Sequence, residues 1–160
     1  MERSKEPDLA LLIGVLSEVG LPYAVIGGVA LQVHQQDPRT TLDIDVAVPR
    51  RIEIPRARLA AAGFRETGRH EHSDNWIGPQ GTPVQFTDDP ALTEAVGRAI
   101  EVCIGELILR VLRIDDLLHE KLRSKRLQDL AGAQALIEQH PDLERTLDQD
   151  ERALLDQLPG

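Results

Sequence analysis

Tyr23-Ala24-Val25-Ile26-Gly27-Gly28 and, one short helix later, Arg39-Thr40-Thr41-Leu42-Asp43-Ile44-Asp45 are the stretches that decide how this chain is read. The first is an apolar run that stops at two glycines, the pattern of a short buried strand running into a helix. The second is an apolar run carrying two carboxylates one residue apart. Side chains alternate along a strand, so Leu42, Ile44, Val46 and Val48 share one face and Asp43, Asp45 and Ala47 the other. Two neighbouring carboxylates repel unless they are solvated or hold a divalent cation. At Gly27 and Gly28 the missing Cβ atoms let a phosphate come close, and the helix start offers unpaired N–H groups and partial positive charge. An anion site one connection away from a cation site is what a nucleoside triphosphate with Mg²⁺ (or Mn²⁺) requires. Taken singly, the glycines also fit a plain turn and the aspartates a solvated sheet face. Their order, with Arg39-Thr40-Thr41 just ahead of the aspartates, favours the site.

Outward from these stretches, Leu9–Val19 has helical spacing and is closed by Gly20 and Pro22. Gly28 opens a second helix that breaks at Asp37-Pro38. Thr41–Val48 is a strand ended by Pro49, and Ile54–Ala62 a third helix. Phe64–Thr67 begins a strand, whereas Gly68–Gly81 is polar and assigns to no element. Pro83–Thr87 is a strand and Pro90–Ile100 a helix. Val102–Ile104 and Leu107–Leu112 form a hairpin turning at Gly105-Glu106. Ile114–Arg123 and Leu127–Glu138 are further helices, followed by a weaker helical tail from Pro141. The order predicts an α/β (α+β) fold: a core over residues 1–113, and a C-terminal helical extension over 114–160 packed on it as a single compact unit.

Bulk properties narrow the function. A length of 160 residues fits one domain, and with 2% aromatics the core must come from Leu, Ile, Val and Ala. The formal net charge of −9 argues against broad binding to DNA or to anionic membranes. Cys103 is the sole cysteine, which excludes an intramolecular disulfide, and its apolar neighbours Val102 and Ile104 place it in the core. No stretch has the length and apolar character of a membrane span or a signal peptide, so the expected location is cytoplasmic.

Ile26-Gly27-Gly28-Val29-Ala30 followed by Arg39-x-Thr41-x-Asp43-Ile44-Asp45 resembles the signature of the DNA polymerase β-like nucleotidyltransferase superfamily. Within it the chain is most similar to the minimal and AbiEii-type branches, which include toxins of toxin–antitoxin pairs. The likeness continues through Leu112–Leu122 and into Lys125-Arg126-Leu127-Gln128-Asp129-Leu130. The resemblance implies a mixed sheet flanked by helices, and transfer of a nucleoside monophosphate from a nucleoside triphosphate to a hydroxyl of a protein, RNA or small molecule, with Mg²⁺. It implies that Gly27 and Gly28, with Arg39 and Thr41, bind the nucleotide, that Asp43 and Asp45 are catalytic metal ligands, and that Lys121 contacts phosphate or acceptor. Arg126 and Asp129 would lock the helical tail onto the core. An antitoxin-like partner is a further implication.

One position departs from that pattern. The family carries a third acid on a later strand, and here the matching residue of Pro83-Val84-Gln85-Phe86-Thr87 is Gln85. Glutamine can coordinate a cation but carries no charge and cannot act as a base. A lost charge at ~4 Å is worth about 4 kcal/mol per unit of metal charge at an effective dielectric of 20. A missing base typically slows a reaction by ~10²–10⁴-fold. The alternative is therefore a catalytically degenerate module that binds nucleotide or a partner. Asp88-Asp89-Pro90 reads as a loop and helix cap. His70-Glu71-His72 reads as a solvated loop rather than a metal site, and Trp76 as a base-stacking or a satellite core residue. Arg110, Arg113, Lys121, Arg123, Lys125 and Arg126 are a basic stretch interleaved with Asp115, Asp116 and Glu120.

Overall fold

The computed structural model describes residues 6–35 and 43–158. They fall into two compact units, Met1–Leu112 and Arg113–Gly160. The first contains α1 (Glu6–Glu18), β1 (Ala24–Ile26), α2 (Gly27–Gln35), β2 (Ile44–Ala47), α3 (Arg56–Ala61), β3 (Arg65–Arg69), β4 (Ser73–Ile77), β5 (Pro83–Thr87), α4 (Thr93–Gly97), β6 (Ile100–Ile104) and β7 (Leu107–Val111). The strands form one seven-stranded sheet in the order β3-β4-β5-β2-β1-β7-β6. β1 runs parallel to β7 and β2 parallel to β5, while the other pairs are antiparallel, so the sheet is mixed as expected.

α1 ends as its sequence indicates. Gly20, at φ +67°, follows the helix, its N–H reaching the carbonyl of Ser17 while that of Leu21 reaches Leu16. This is the paired closure that a left-handed glycine allows. β1 is central, and all three of its residues are buried. One face of the sheet is apolar: Val25, Val46, Val84, Phe86, Trp76, Leu109 and Val111 are each 5% exposed or less. α1 is fastened to the β4–β5 turn by Asp8. Its buried carboxylate accepts from the N–H groups of Gln80 and Thr82, each at 3.1 Å.

Several local expectations are corrected. The polar stretch 68–81, which assigns to nothing by pattern, contains β4. Its register with β5 pairs Asp74 with Phe86, so Asp74 is a carboxylate in an apolar-face position, 1% exposed. It is tolerated there because Arg51 and Arg56 both bind it. Pro90–Ile100 is not one helix: a 3₁₀ turn, Pro90–Leu92, is capped by Asp89, α4 stops at Gly97, and Ile100 begins β6. Cys103 is exposed rather than buried, because β6 is the sheet's edge and Cys103 faces away from its apolar side. The breaks expected at Asp37-Pro38 and the first residues of the Thr41–Val48 strand lie outside the described residues.

The second unit holds α5 (Ile114–Ser124), α6 (Leu127–Gln139), a 3₁₀ turn at Pro141–Thr146 and α7 (Gln149–Leu155). α7 starts with a reciprocal cap: Asp148 accepts from the Glu151 N–H at 2.8 Å, and Glu151 from the Asp148 N–H at 3.1 Å.

Candidate active site

The candidate site lies where β1 runs into α2 beside β2. Ile26 is in register with Asp45 across the β1–β2 pair, so the strand end that releases Gly27 lies against the second aspartate. Gly27 has φ +67°, a conformation that side chains disfavour. A Cβ there would stand 2.4 Å from Oδ2 of Asp45 and 3.2 Å from its Cγ. Glycine is thus required twice, by the backbone angle and by the carboxylate packed against it. Gly28 follows in the first turn of α2, whose leading N–H groups lie outside the helix's own bonding. The far end of α2 is held by His34, whose Nε2 donates to the Leu112 carbonyl at 2.8 Å.

Asp43 stands one residue ahead of β2 and is exposed, and alternation puts it on Asp45's side. On the other flank of β2, Asp45 pairs in register with Gln85 of β5. The amide therefore occupies the neighbouring place on the carboxylate face, as the sequence indicates. Asp88 does not come round to replace it. Its carboxylate lies 3.0 Å from Arg51 Nε and 3.6 Å from His72 Nδ1. Burial pulls the Asp88 carboxyl upward, but the hydrogen bonds and charge of Arg51 outweigh it and hold it below the ordinary carboxylate range. Asp89 caps the next turn, its Oδ1 accepting from Ala91 N–H at 2.9 Å.

The donor set of Asp43, Asp45 and Gln85 consists of hard oxygens, which suit Mg²⁺ completed by water and phosphate. No group of three or more His, Cys, Asp or Glu side chains is placed to hold a metal among the described residues. His70 and His72 are in the β3–β4 turn and outside this place.

Arg51, which follows the Pro49 end of β2, organises the neighbourhood. Its Nη1 donates to the carbonyls of His70 (2.7 Å) and Ser73 (3.1 Å) and to Asp74 Oδ1 (2.9 Å), and its Nη2 donates to the Glu71 carbonyl. Arg56 binds Glu66 and Asp74 and lies 5.9 Å over the Trp76 ring, which settles Trp76 as a core residue. None of Arg51, Arg56 or Asp74 is visible as a partner in the sequence; the only signal is the alternation of Asp74 with Trp76.

Arg39 and Thr41 lie outside the described residues. Lys121 belongs to α5, and its side chain is 8% exposed with Nζ 3.9 Å from Asp129 Oδ1. Asp129 also accepts from Ser124 Oγ and from Arg126 Nε, the latter at 2.8 Å, so these residues join the end of α5 to the start of α6. Glu120 beside them is pushed up by burial. Arg110, in the sheet unit, donates to the Tyr23 and Val96 carbonyls, and Arg113 pairs with Asp115.

No family model matches the sequence, and no curated protein is similar to it in sequence. Solved structures do match in shape. The solution structure of the antibiotic-resistance factor ANT(2'')-Ia superposes with a TM-score of 0.68 at 16% identity, covering 98% of this chain and 91% of its own. ANT(2'')-Ia in complex with adenylyl-2''-tobramycin gives 0.64 at 17% identity, with 96% of each chain covered. A nucleotidyltransferase-like protein from Paracoccidioides brasiliensis gives 0.56 at 17% identity, covering 95% and 94%. The chain has the nucleotidyltransferase fold. In this nucleotidyltransferase-fold protein β1, which leads into Gly27, β2, which carries Asp45, and β5, which carries Gln85, are neighbours in the sheet. No helix among the described residues is long and apolar enough to cross a membrane.

Proposed function

We propose that the protein binds a magnesium–nucleoside triphosphate at Gly27, Gly28, Asp43 and Asp45 and transfers the nucleoside monophosphate to a hydroxyl acceptor. The supporting observation is the packing of the Gly27 backbone against the Asp45 carboxylate, which puts the phosphate-type turn and the cation-type acid in one place. The α2 N-terminus and the bare glycine backbone hold the β- and γ-phosphates. Asp43 and Asp45 would hold a divalent cation, which when bound would supply positive charge to the phosphates. The acceptor oxygen bonds to the α-phosphorus as the bond to the β-phosphate oxygen breaks. Gln85 orients the acceptor hydroxyl or a bound water without taking its proton, which passes to solvent. Lys121 is given the role of Asp129's partner within the helical unit. A toxin role, as in the AbiEii-type likeness, would be tested by growth arrest on expression and rescue by an adjacent gene.

Calorimetry with Mg-ATP, Mg-CTP, Mg-GTP and Mg-UTP tests the binding; a folded sample that binds none overturns it. A second reading has the register of Gln85 beside Asp45 in its favour: a nucleotide-binding protein without turnover. Labelled-nucleotide transfer by the native chain, abolished in Asp43→Ala, supports the enzyme. Transfer that appears only in Gln85→Asp supports the second reading.

A further inference from the structure

The strand register extends the site sideways. Asp45 is level with Gln85, Gln85 with Asn75 of β4, and Asn75 with Gly68 of β3, so one row crosses four strands on the carboxylate face. The residues that share this face on β5 and β4 are Pro83, Gln85, Thr87, Ser73, Asn75 and Ile77. None carries a charge, although the chain has 27 acidic residues. All six are exposed or half-buried, while Val84, Phe86, Asp74 and Trp76 between them are buried. The acids of this region are turned to the other side and neutralised: Asp74 by Arg51 and Arg56, Glu66 by Arg56 and Arg69, Asp88 by Arg51. At the far end of the row the Asn75 amide lies 3.3 Å from His70 Nε2.

We infer that this row is the acceptor subsite and that it takes an uncharged, polyhydroxylated small molecule such as a sugar or cyclitol. The inference rests on the transfer reading above for its direction. Displacement at phosphorus is in line, with nucleophile and leaving group on opposite sides. With the pyrophosphate over Gly27 and Gly28, on the β1 side of Asp45, the attacking hydroxyl arrives from the β5 side. There it meets Gln85 first, then Asn75 and His70. Carboxamides both donate and accept, as hydroxyls do. Neighbouring strands are about 4.8 Å apart, roughly the span between hydroxyls across one sugar ring, so a single ring bridges Gln85 and Asn75. A polyamine acceptor such as tobramycin would need carboxylates beyond Asp45, and an RNA would need a run of cations; β5 and β4 offer neither, and on β3 this face has one cation, Arg65, level with Ile77 at the margin of the row.

The test follows the side-chain amide resonances of Gln85 and Asn75 in the full-length ¹⁵N-labelled protein. Methyl glucoside, myo-inositol, trehalose and sucrose are titrated to high millimolar levels, with tobramycin and oligoadenylate as contrasts. Each is run with and without Mg²⁺ and a non-hydrolysable ATP analogue. A neutral polyol should shift both amides, Asn75→Ala should weaken that binding about tenfold, the effect of one good hydrogen bond, and nucleotide affinity should stay within about twofold. Asn75→Asp should move the preference toward tobramycin. The inference falls if no polyol perturbs the row while nucleotide binds, if tobramycin or oligoadenylate binds the native row more tightly, or if Asn75→Asp leaves the preference unchanged. Polyol binding at the row without any nucleotide binding would instead sink the transfer reading, and with it the row's role as acceptor subsite, leaving a polyol-binding row.

Discussion

Asp45 on β2 stands in register with Gln85 on the parallel strand β5, so the place beside the paired carboxylates holds an amide. Gln85→Asp puts a third carboxylate there. Without metal the new charge repels Asp45, and thermal stability should fall by about 1 kcal/mol or less at this exposed position. With Mn²⁺ bound it should raise metal affinity and increase transfer by ~10²-fold or more, the low end of what a positioned base gives. Initial rates and Mn²⁺ titration followed by electron paramagnetic resonance check both effects. A rate that falls would mean that the amide itself is needed for turnover.

Gly27→Ala forces a side chain into a left-handed backbone, at roughly 1–2 kcal/mol. It also drives a Cβ to within 2.4 Å of Asp45 Oδ2, so the carboxylate must move. Both a lower melting temperature and at least about a tenfold loss of Mg-nucleotide affinity are expected. Gly28 has no positive φ among the described glycines. Gly28→Ala should therefore keep or slightly raise stability, by up to about 1 kcal/mol from helix propensity, while still hindering phosphate approach. Calorimetry of the two variants side by side separates backbone strain from site occlusion.

Asp8 is a structural acid. Asp8→Ala would strand the N–H groups of Gln80 and Thr82, at ~1–3 kcal/mol for each left unpaired. Gly78→Ala attacks the same joint from the other side, since its Cβ would lie 2.4 Å from Asp8 Oδ2. Both variants should unfold at lower urea with little change in nucleotide affinity per folded molecule. An unaltered midpoint in Asp8→Ala would remove this joint from the account of stability.

The β3–β4 hairpin should loosen in acid. In Glu66 the hydrogen bond from Arg69 leads the factors that lower the carboxyl, with Arg56 adding to it against burial; in Asp88 the bonds from Arg51 outweigh burial. Both groups are held below their ordinary values of 4.5 and 3.8. A depressed carboxyl contributes stability that is complete above its unfolded value and lost as pH falls through the folded one. Amide exchange across Ser73–Ile77 should accordingly accelerate below about pH 4, relative to a pH 7 reference corrected for intrinsic rates. Arg51→Ala should flatten that dependence in the Asp88 part. Equal protection at pH 3 and pH 7 would contradict it.

Lys121→Met separates two roles for one cation. If the ammonium only faces Asp129, whose carboxylate keeps Ser124 and Arg126, stability should change by about 1 kcal/mol or less. Nucleotide affinity should then be unchanged. A rise in Kd of about tenfold with an unaltered melting temperature would assign Lys121 to the phosphates, as the family resemblance implies.

Features that span a few residues are legible in the chain's own pattern. The α1 closure at Gly20, the strand–glycine–helix turn at Gly27, the face shared by Asp43 and Asp45, and the parity that turns Gln85 away from Val84 and Phe86 all follow from one- to five-residue rules of backbone geometry, whereas the meeting of Gln85 with Asp45 comes from the β2–β5 pairing. Features that need partners far along the chain are not legible that way. β4 was illegible because Asp74 interrupts its apolar alternation, and only Arg51 and Arg56 make a buried carboxylate tolerable there. Cys103 reads as core beside Val102 and Ile104, yet is exposed because β6 happens to be the edge. The neutral row from Gln85 to His70 is likewise a product of strand order and register. Local patterns fix which way a side chain points from its own backbone; which neighbour it meets is fixed by the pairing of strands distant in sequence.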